Sequence, residues 1–217
     1  MSNTDLWDSV EKTDPKHTKG FSRGGGFKGT ATNATYLAKK ATERFGPCGT
    51  GWGLNVLSEE VMQGAPLIVG DAQVGSELIH KLHVRLWYVL DGKRGEVEHF
   101  GQTQFVGKNK NGFYTDEEAP KKSMTDAMSK CLSLLGFSAD IHMGLYDDNK
   151  YVQSLQKEFS QITQEQADDL KKKLSDTGSD VVKFLEVFQI GVVEELSSEM
   201  LEKALKILAK KAAKPEA

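Results

Sequence analysis

The sequence predicts an α+β fold, in which an antiparallel β-sheet of β-β-β-α order packs on helices and a small C-terminal three-helix bundle follows. A long strand is indicated from Glu77 to Asp91, where bulky apolar and polar side chains alternate with period two. A buried helix is indicated between Met124 and Leu135, where apolar residues recur at helical spacing. Three further amphipathic segments after residue 160 predict the bundle.

The chain begins with segments of weak pattern. Residues 1–15 are predicted to be flexible. Residues 16–29, KHTKGFSRGGGFKG, are predicted to form a flexible loop or a short hairpin, because three consecutive glycines interrupt any periodicity. The first helix is predicted from Ala34 to Phe45, and Gly46 with the proline after it ends that helix.

The predicted sheet starts with a strand from Trp52 to Leu57. The strand Glu77–Asp91 follows, and the turn DGKRGE joins it to an antiparallel partner, Val97–Val106. Residues Gly107–Asp116 are predicted to be a polar loop. One face of the long strand mixes charged and bulky groups, so it is either partly wet or meets a neighbouring subunit. This face carries Lys81, His83 and Arg85.

The helix predicted within Glu117–Gly136 has two different faces. The apolar stripe, which predicts burial, consists of Met124, Met128, Cys131, Leu132 and Leu135. The opposite stripe offers cations and hydroxyls and consists of Lys122, Asp126, Ser129, Lys130 and Ser133. An ordinary surface helix also turns a polar face to water, so this stripe alone does not identify a site.

A short polar linker at Ser160–Thr163 divides the chain into a first domain, 1–159, and a helical module, 160–217. Thr163 and Gln166 form a capping-box pattern at the start of the module. Its predicted helices are Gln164–Leu174, Val181–Phe188 and a last helix that starts at Ser197 or Ser198 and bears Met200, Leu201, Leu205 and Leu208.

Positive charge is concentrated near the N-terminus. Eight basic and two acidic residues lie between Lys12 and Arg44, in a chain whose formal net charge is −3. This asymmetry indicates a local anion-binding surface, for which phosphate is the commonest ligand. Phe21 and Phe27 lie in the same segment, and aromatic rings beside cations suit single-stranded nucleic acid. The alternative is that one of these rings pins the glycine-rich segment onto the first helix.

Other kinds of chemistry are disfavoured. No run approaches the roughly 18 apolar residues of a membrane span, and the polar start is unlike a secretory signal. Two cysteines, Cys48 and Cys131, indicate reduced thiols and a cytoplasmic location. His80 and His83 fall on opposite faces of a strand, and no acid pair, triad or phosphate loop is present. We therefore expect no catalytic residue, no metal and no cofactor.

The order of several segments resembles a known family. These segments are FKGTATNATYLAKKATERFGPCGTGWG, HVRLWYVLDG, EEAPKKSMTDAMSKCLSLLGFSADI and LYDDNKYVQSL. Together they are similar to the single-strand annealing recombinases of the Rad fifty-two superfamily, in their short phage-encoded form. The resemblance extends from Lys16 to Leu155, about two thirds of the chain.

This resemblance implies a homo-oligomeric ring or filament whose β-β-β-α units line a groove for single-stranded DNA. It implies ATP-independent annealing of complementary strands in homologous recombination, without enzymatic activity, in the cytoplasm of a bacterial host. Two adjacent basic positions of the family's second conserved helix match Ser129 and Lys130, and a basic position near the start of the first helix matches Tyr36. The departures at Ser129 and Tyr36 leave other lysines to compensate.

The predicted DNA-binding residues are Lys16, Lys19, Arg23, Phe27, Lys28, Tyr36, Lys39, Lys40, Lys108, Lys110, Lys121, Lys122, Ser129, Lys130 and Ser133. Two alternatives to annealing remain: a passive single-strand binding protein, and a non-enzymatic protein-interaction scaffold whose basic face is merely solvated. The C-terminal module lies outside the resemblance but is similar to helical modules that end other phage recombinases. A host single-strand binding protein or a phage exonuclease is its expected partner.

Overall fold

The computed structural model describes residues 2–22 and 26–212. Contacts between residues divide the chain into two compact units. The first unit comprises Met1–Thr13 and His17–Asp147, and the second comprises Asp14–Lys16 and Asp148–Ala217. Helix 149–160 therefore groups with the C-terminal residues, although the sequence placed it before the domain boundary.

The first unit has the predicted α+β architecture. Its helices are α1 (Asp5–Val10), α2 (Ala34–Phe45), α3 (Ala119–Ser133) and α4 (Ala139–His142). Its strands are β1 (Thr18–Ser22), β2 (Lys28–Thr32), β3 (Trp52–Val69), β4 (Ala72–Leu90), β5 (Lys93–Asn109) and β6 (Gly112–Thr115). Strands β3 to β6 form one antiparallel sheet in sequence order, curled as a half-barrel, and β1 pairs with β2 in a separate hairpin.

The sheet is more extensive than the sequence pattern indicated. β3 continues to Val69, well beyond the predicted end at Leu57. Both faces of this extension are largely exposed, so no apolar alternation marks it. The prediction that Gly107–Asp116 is a loop is wrong, since β5 continues to Asn109 and β6 begins at Gly112, which has a φ of 117°. Backbone pairing, rather than burial of one face, holds these segments as strands.

The N-terminus is also more ordered than predicted. Residues 5–10 form α1, and Val10 is buried in the same core as α2 and α3. Thr13 is fully buried. Its N–H and its hydroxyl both donate to the carboxylate of Asp140 at 2.8 Å, which offsets the cost of burying these polar groups. A polar segment predicted to be flexible is thus held by one buried acid and one apolar anchor.

The core of the first unit lies between the sheet and α3. Leu86 on β4 and Cys131 and Leu132 on α3 are fully buried there, as the apolar stripe predicted. α3 approaches β5 closely at Gly101, where an added Cβ would lie 1.9 Å from the carbonyl oxygen of Ser123. This contact fixes α3 across the sheet and turns its polar stripe outward.

The second unit contains α5 (Asn149–Ser160), α6 (Gln164–Asp176), α7 (Val181–Phe188) and α8 (Ser198–Ala212). The capping box of Thr163 and Gln166 is present, as predicted. α6, α7 and α8 share a core that includes Leu170, Phe184 and Leu208. With α5 and a 3₁₀ turn among its described residues, the unit differs in composition from the predicted three helices. In the described part of the chain, no helix is long and apolar enough to cross a bilayer.

Candidate nucleic-acid interface

A groove of about 590 Å³ lies in the first unit, between the β1–β2 hairpin, the start of α2, the polar stripe of α3 and residues 138–147. It brings together side chains that are distant in sequence. Those relevant to an anionic ligand are Phe21, Phe27, Lys28, Lys122, Ser129 and Lys130.

The hairpin supplies an aromatic pair to this groove. Phe21 pairs with Gly29 across the two strands, and its ring centroid lies 6.1 Å from that of Phe27. An added Cβ at Gly29 would lie 3.0 Å from the Phe21 ring and 3.2 Å from the Phe27 ring, so the glycine leaves room for both rings. Phe27 is 58% exposed, whereas Phe21 is half-buried. Phe27 therefore offers an open aromatic surface at the groove.

The wall opposite the hairpin is the polar stripe of α3. Lys122, Ser129 and Lys130 line the groove because the helical period puts them on the face opposite the buried stripe. The Ser129 hydroxyl donates to the carbonyl of Thr125 at 2.7 Å, and the Ser133 hydroxyl donates to that of Lys130 at 2.8 Å. Both hydroxyl hydrogens are thus donated to carbonyls of the helix itself. The two lysines supply the positive charge of this wall.

Both lysines of this wall are already paired with carboxylates. Lys122 Nζ lies 2.6 Å from Asp116 Oδ2, and Lys130 Nζ lies 2.9 Å from Asp126 Oδ2. The hydrogen bond from Lys122 is the main cause that lowers the pKa of Asp116 below its ordinary value. Lys28, on the hairpin, makes no ion pair with any described residue.

Lys40, one of the predicted DNA-binding residues, is engaged by backbone carbonyls of the N-terminal segment. Its ammonium donates to the carbonyls of Val10 and Lys12, at 3.3 and 2.9 Å. Burial lowers the pKa of Lys40, and the nearby Asp140 and Glu43 carboxylates oppose that effect. Lys40 fastens the N-terminal segment onto α2 and does not line the groove.

The other predicted residues are scattered. Lys39 and Lys121 form exposed ion pairs with Glu43 and Glu118, and Tyr36 stacks on His17 with ring centroids 4.2 Å apart. The remaining residues away from the groove are Lys16, which belongs to the second unit, Lys19 on β1, Ser133 on α3, and Lys108 and Lys110 at the β5–β6 end of the sheet. Arg23 lies outside the described residues.

Residues 138–147 were missed by the sequence reasoning. Ser138, with a φ of 55°, is buried, and its hydroxyl oxygen lies 3.0 Å from the hydroxyl of Thr32 on β2. Tyr146 donates to the carbonyl of Thr13 and lines the groove beside His142. The segment FSADI carried no periodic pattern, so nothing local indicated that it closes the groove.

The described residues contain no group of three or more His, Cys, Asp or Glu side chains arranged to hold a metal ion. Comparison of the chain with protein-family models and with curated proteins finds no match. The residues of the groove are therefore the basis for assigning a function.

Proposed function

We propose that the protein binds single-stranded DNA in this groove and anneals complementary strands without a nucleotide or metal cofactor, as a non-enzymatic, cytoplasmic homo-oligomer of a recombination pathway. The observation that supports this most is the exposed ring of Phe27 beside Lys28, facing Lys122 and Lys130 across one groove. Unpaired bases stack on rings while lysines neutralise the backbone, whatever the base sequence. The order of the elements agrees with the resemblance to Rad fifty-two annealing proteins.

The edge of the sheet supports self-association. β3 pairs only with β4 among the described strands, and its other edge carries no strand from Leu54 to Val69. At the start of β3, Trp52 is buried and bridges Cys48. Val56, Leu57 and Val61 are exposed on this strand. A long exposed edge with apolar side chains is a template for pairing with another chain. We propose that a second copy covers it in a ring or filament.

The second unit supports a partner-binding role. Leu201, Leu205 and Leu208 of α8 pack in or against the core of this unit. An apolar surface lies between α7 and α8, where Val187 is 63% and Ile207 41% exposed. Lys183 and Lys211 flank it. We propose that α6, α7 and α8 act as a small bundle that receives an acidic, apolar-ended segment of a host single-strand binding protein or a phage exonuclease.

A fluorescence annealing assay with the full-length protein tests the main proposal. We expect complementary oligonucleotides to pair faster in its presence, without added nucleotide or divalent metal. Protection of single strands without faster pairing would indicate a passive binding protein instead. Absence of salt-dependent DNA binding would leave only an interaction scaffold, because backbone neutralisation gives a log–log salt slope of about −0.7 per phosphate on single strands.

A further inference from the structure

We propose that Asp126 is a built-in competitor for the DNA phosphate at Lys130 and thereby limits the affinity of the groove for single strands. This inference rests on the proposed function, because it concerns the same groove. Asp126 lines the groove together with Lys130, and its Oδ2 lies 2.9 Å from the lysine Nζ. A phosphate reaches this ammonium only by displacing or sharing the carboxylate.

Asp126 cannot simply move away when a phosphate arrives. The backbone N–H of Gln102 on β5 donates to the same Oδ2 at 3.2 Å, so the carboxylate also ties α3 to the sheet. Once Lys130 turns to a phosphate, an anchored negative charge remains next to the bound strand. Like charges at such short range oppose binding, and salt screens that opposition only in part because the site is half-buried.

The other charges of the groove do not share this arrangement. Asp116 holds Lys122 but does not line the groove, and it also accepts the N–H of Glu118 at the start of α3. Asp147 does line the groove, but it pairs with no described lysine. Lys28 has no described ion pair and is available to a phosphate without competition. Among the described residues that line the groove, competition for a lysine is therefore confined to Asp126, whereas Asp147 opposes a phosphate only by charge repulsion.

Asp126→Asn in the full-length protein tests the inference, because an amide oxygen can still accept the Gln102 N–H. We expect affinity for a labelled oligo-dT to rise about 3- to 5-fold at low salt, and the salt slope to steepen by up to about 0.7, one phosphate contact. The matched control is Asp169→Asn, which removes an i,i+4 carboxylate 2.6 Å from Lys173 in the second unit and changes the net charge equally. The control should leave affinity unchanged.

A Lys130→Gln background shows whether Asp126 acts through this lysine. In that background we expect the gain from Asp126→Asn to fall below about twofold, because the two residues are directly coupled. The inference would be overturned if Asp126→Asn raised the affinity equally with and without Lys130, or raised it no more than Asp169→Asn does. In either case the proposed function would still stand, provided that the wild-type protein binds oligonucleotide. If neither wild type nor Asp126→Asn binds oligonucleotide, both the inference and the proposed function are wrong.

Discussion

Phe27 leaves 58% of its surface open to solvent and lines the groove next to Lys28. If bases stack on its ring, Phe27→Ala should weaken oligonucleotide binding by about 1–3 kcal/mol. Phe113→Ala is a matched control, because Phe113 is 53% exposed and lies 5.8 Å from Lys108, away from the groove. Thermal melting distinguishes base stacking from a structural role. If Phe27→Ala lowers the melting temperature as well as the affinity, the ring serves to hold the glycine-rich segment in place.

A second single-residue change tests whether Lys130 contacts the phosphate backbone of the DNA. Lys130→Ala should weaken single-strand binding and reduce the magnitude of the salt slope by about 0.7, the value of one lost phosphate contact. The fold should be little affected, since an i,i+4 pair on a helix surface contributes only about 0.3–0.5 kcal/mol. Lys173→Ala removes an equivalent pair with Asp169 and serves as the control. Titrations at several salt concentrations measure both variants, and an unchanged slope would remove Lys130 from the site.

At the scale of elements, the groove depends on how α3 lies against β5. Gly101→Ala places a methyl group 1.9 Å from the Ser123 carbonyl, so α3 must shift. We expect a loss of about 1–3 kcal/mol in the free energy of unfolding, and weaker DNA binding with it. Gly75→Ala is the control, because nothing lies within 4 Å of its added Cβ. Chemical denaturation compares the two, and equal stabilities would mean that α3 is not fixed at Gly101.

The open edge of β3 is the second element that can be tested. Val61, which is 52% exposed, lies on that strand, and a lysine there should oppose the addition of a strand from another copy. Val61→Lys should therefore shift the protein toward monomer in light scattering. Any fall in melting temperature should be confined to concentrations at which the wild type is assembled. Val74→Lys, at an equally exposed position of β4, is the control. Unchanged assembly in Val61→Lys would place the subunit interface elsewhere.

In the whole molecule, we expect the first unit to bind and anneal DNA and the second unit to bind a partner protein. Val187→Glu puts a negative charge on the exposed surface between α7 and α8 and should repel an acidic partner. Annealing of naked oligonucleotides should stay at the wild-type rate, whereas annealing of strands precoated with host single-strand binding protein should slow. Equal loss on both substrates would show that the second unit takes part in annealing itself.

The sequence by itself determined the elements whose signal is local. The strand around Leu86, the buried stripe of α3 with Leu132, and the Thr163 capping box all follow from periods and spacings within a few residues. It also placed Phe27 and the α3 lysines among the candidates, because aromatic and cationic side chains stand out in a glycine-rich or helical context.

Only the tertiary structure decided which of many lysines face the same groove. Lys40 and Lys122 both lie on the polar face of a helix, so the sequence does not distinguish them. The ammonium of Lys40 donates to two backbone carbonyls, whereas Lys122 lines the groove. The partnership of Asp126 with Gln102 depends on α3 crossing β5. Such contacts join residues far apart in the chain, so no local pattern encodes them, and the packing of helix on sheet fixes which charges meet.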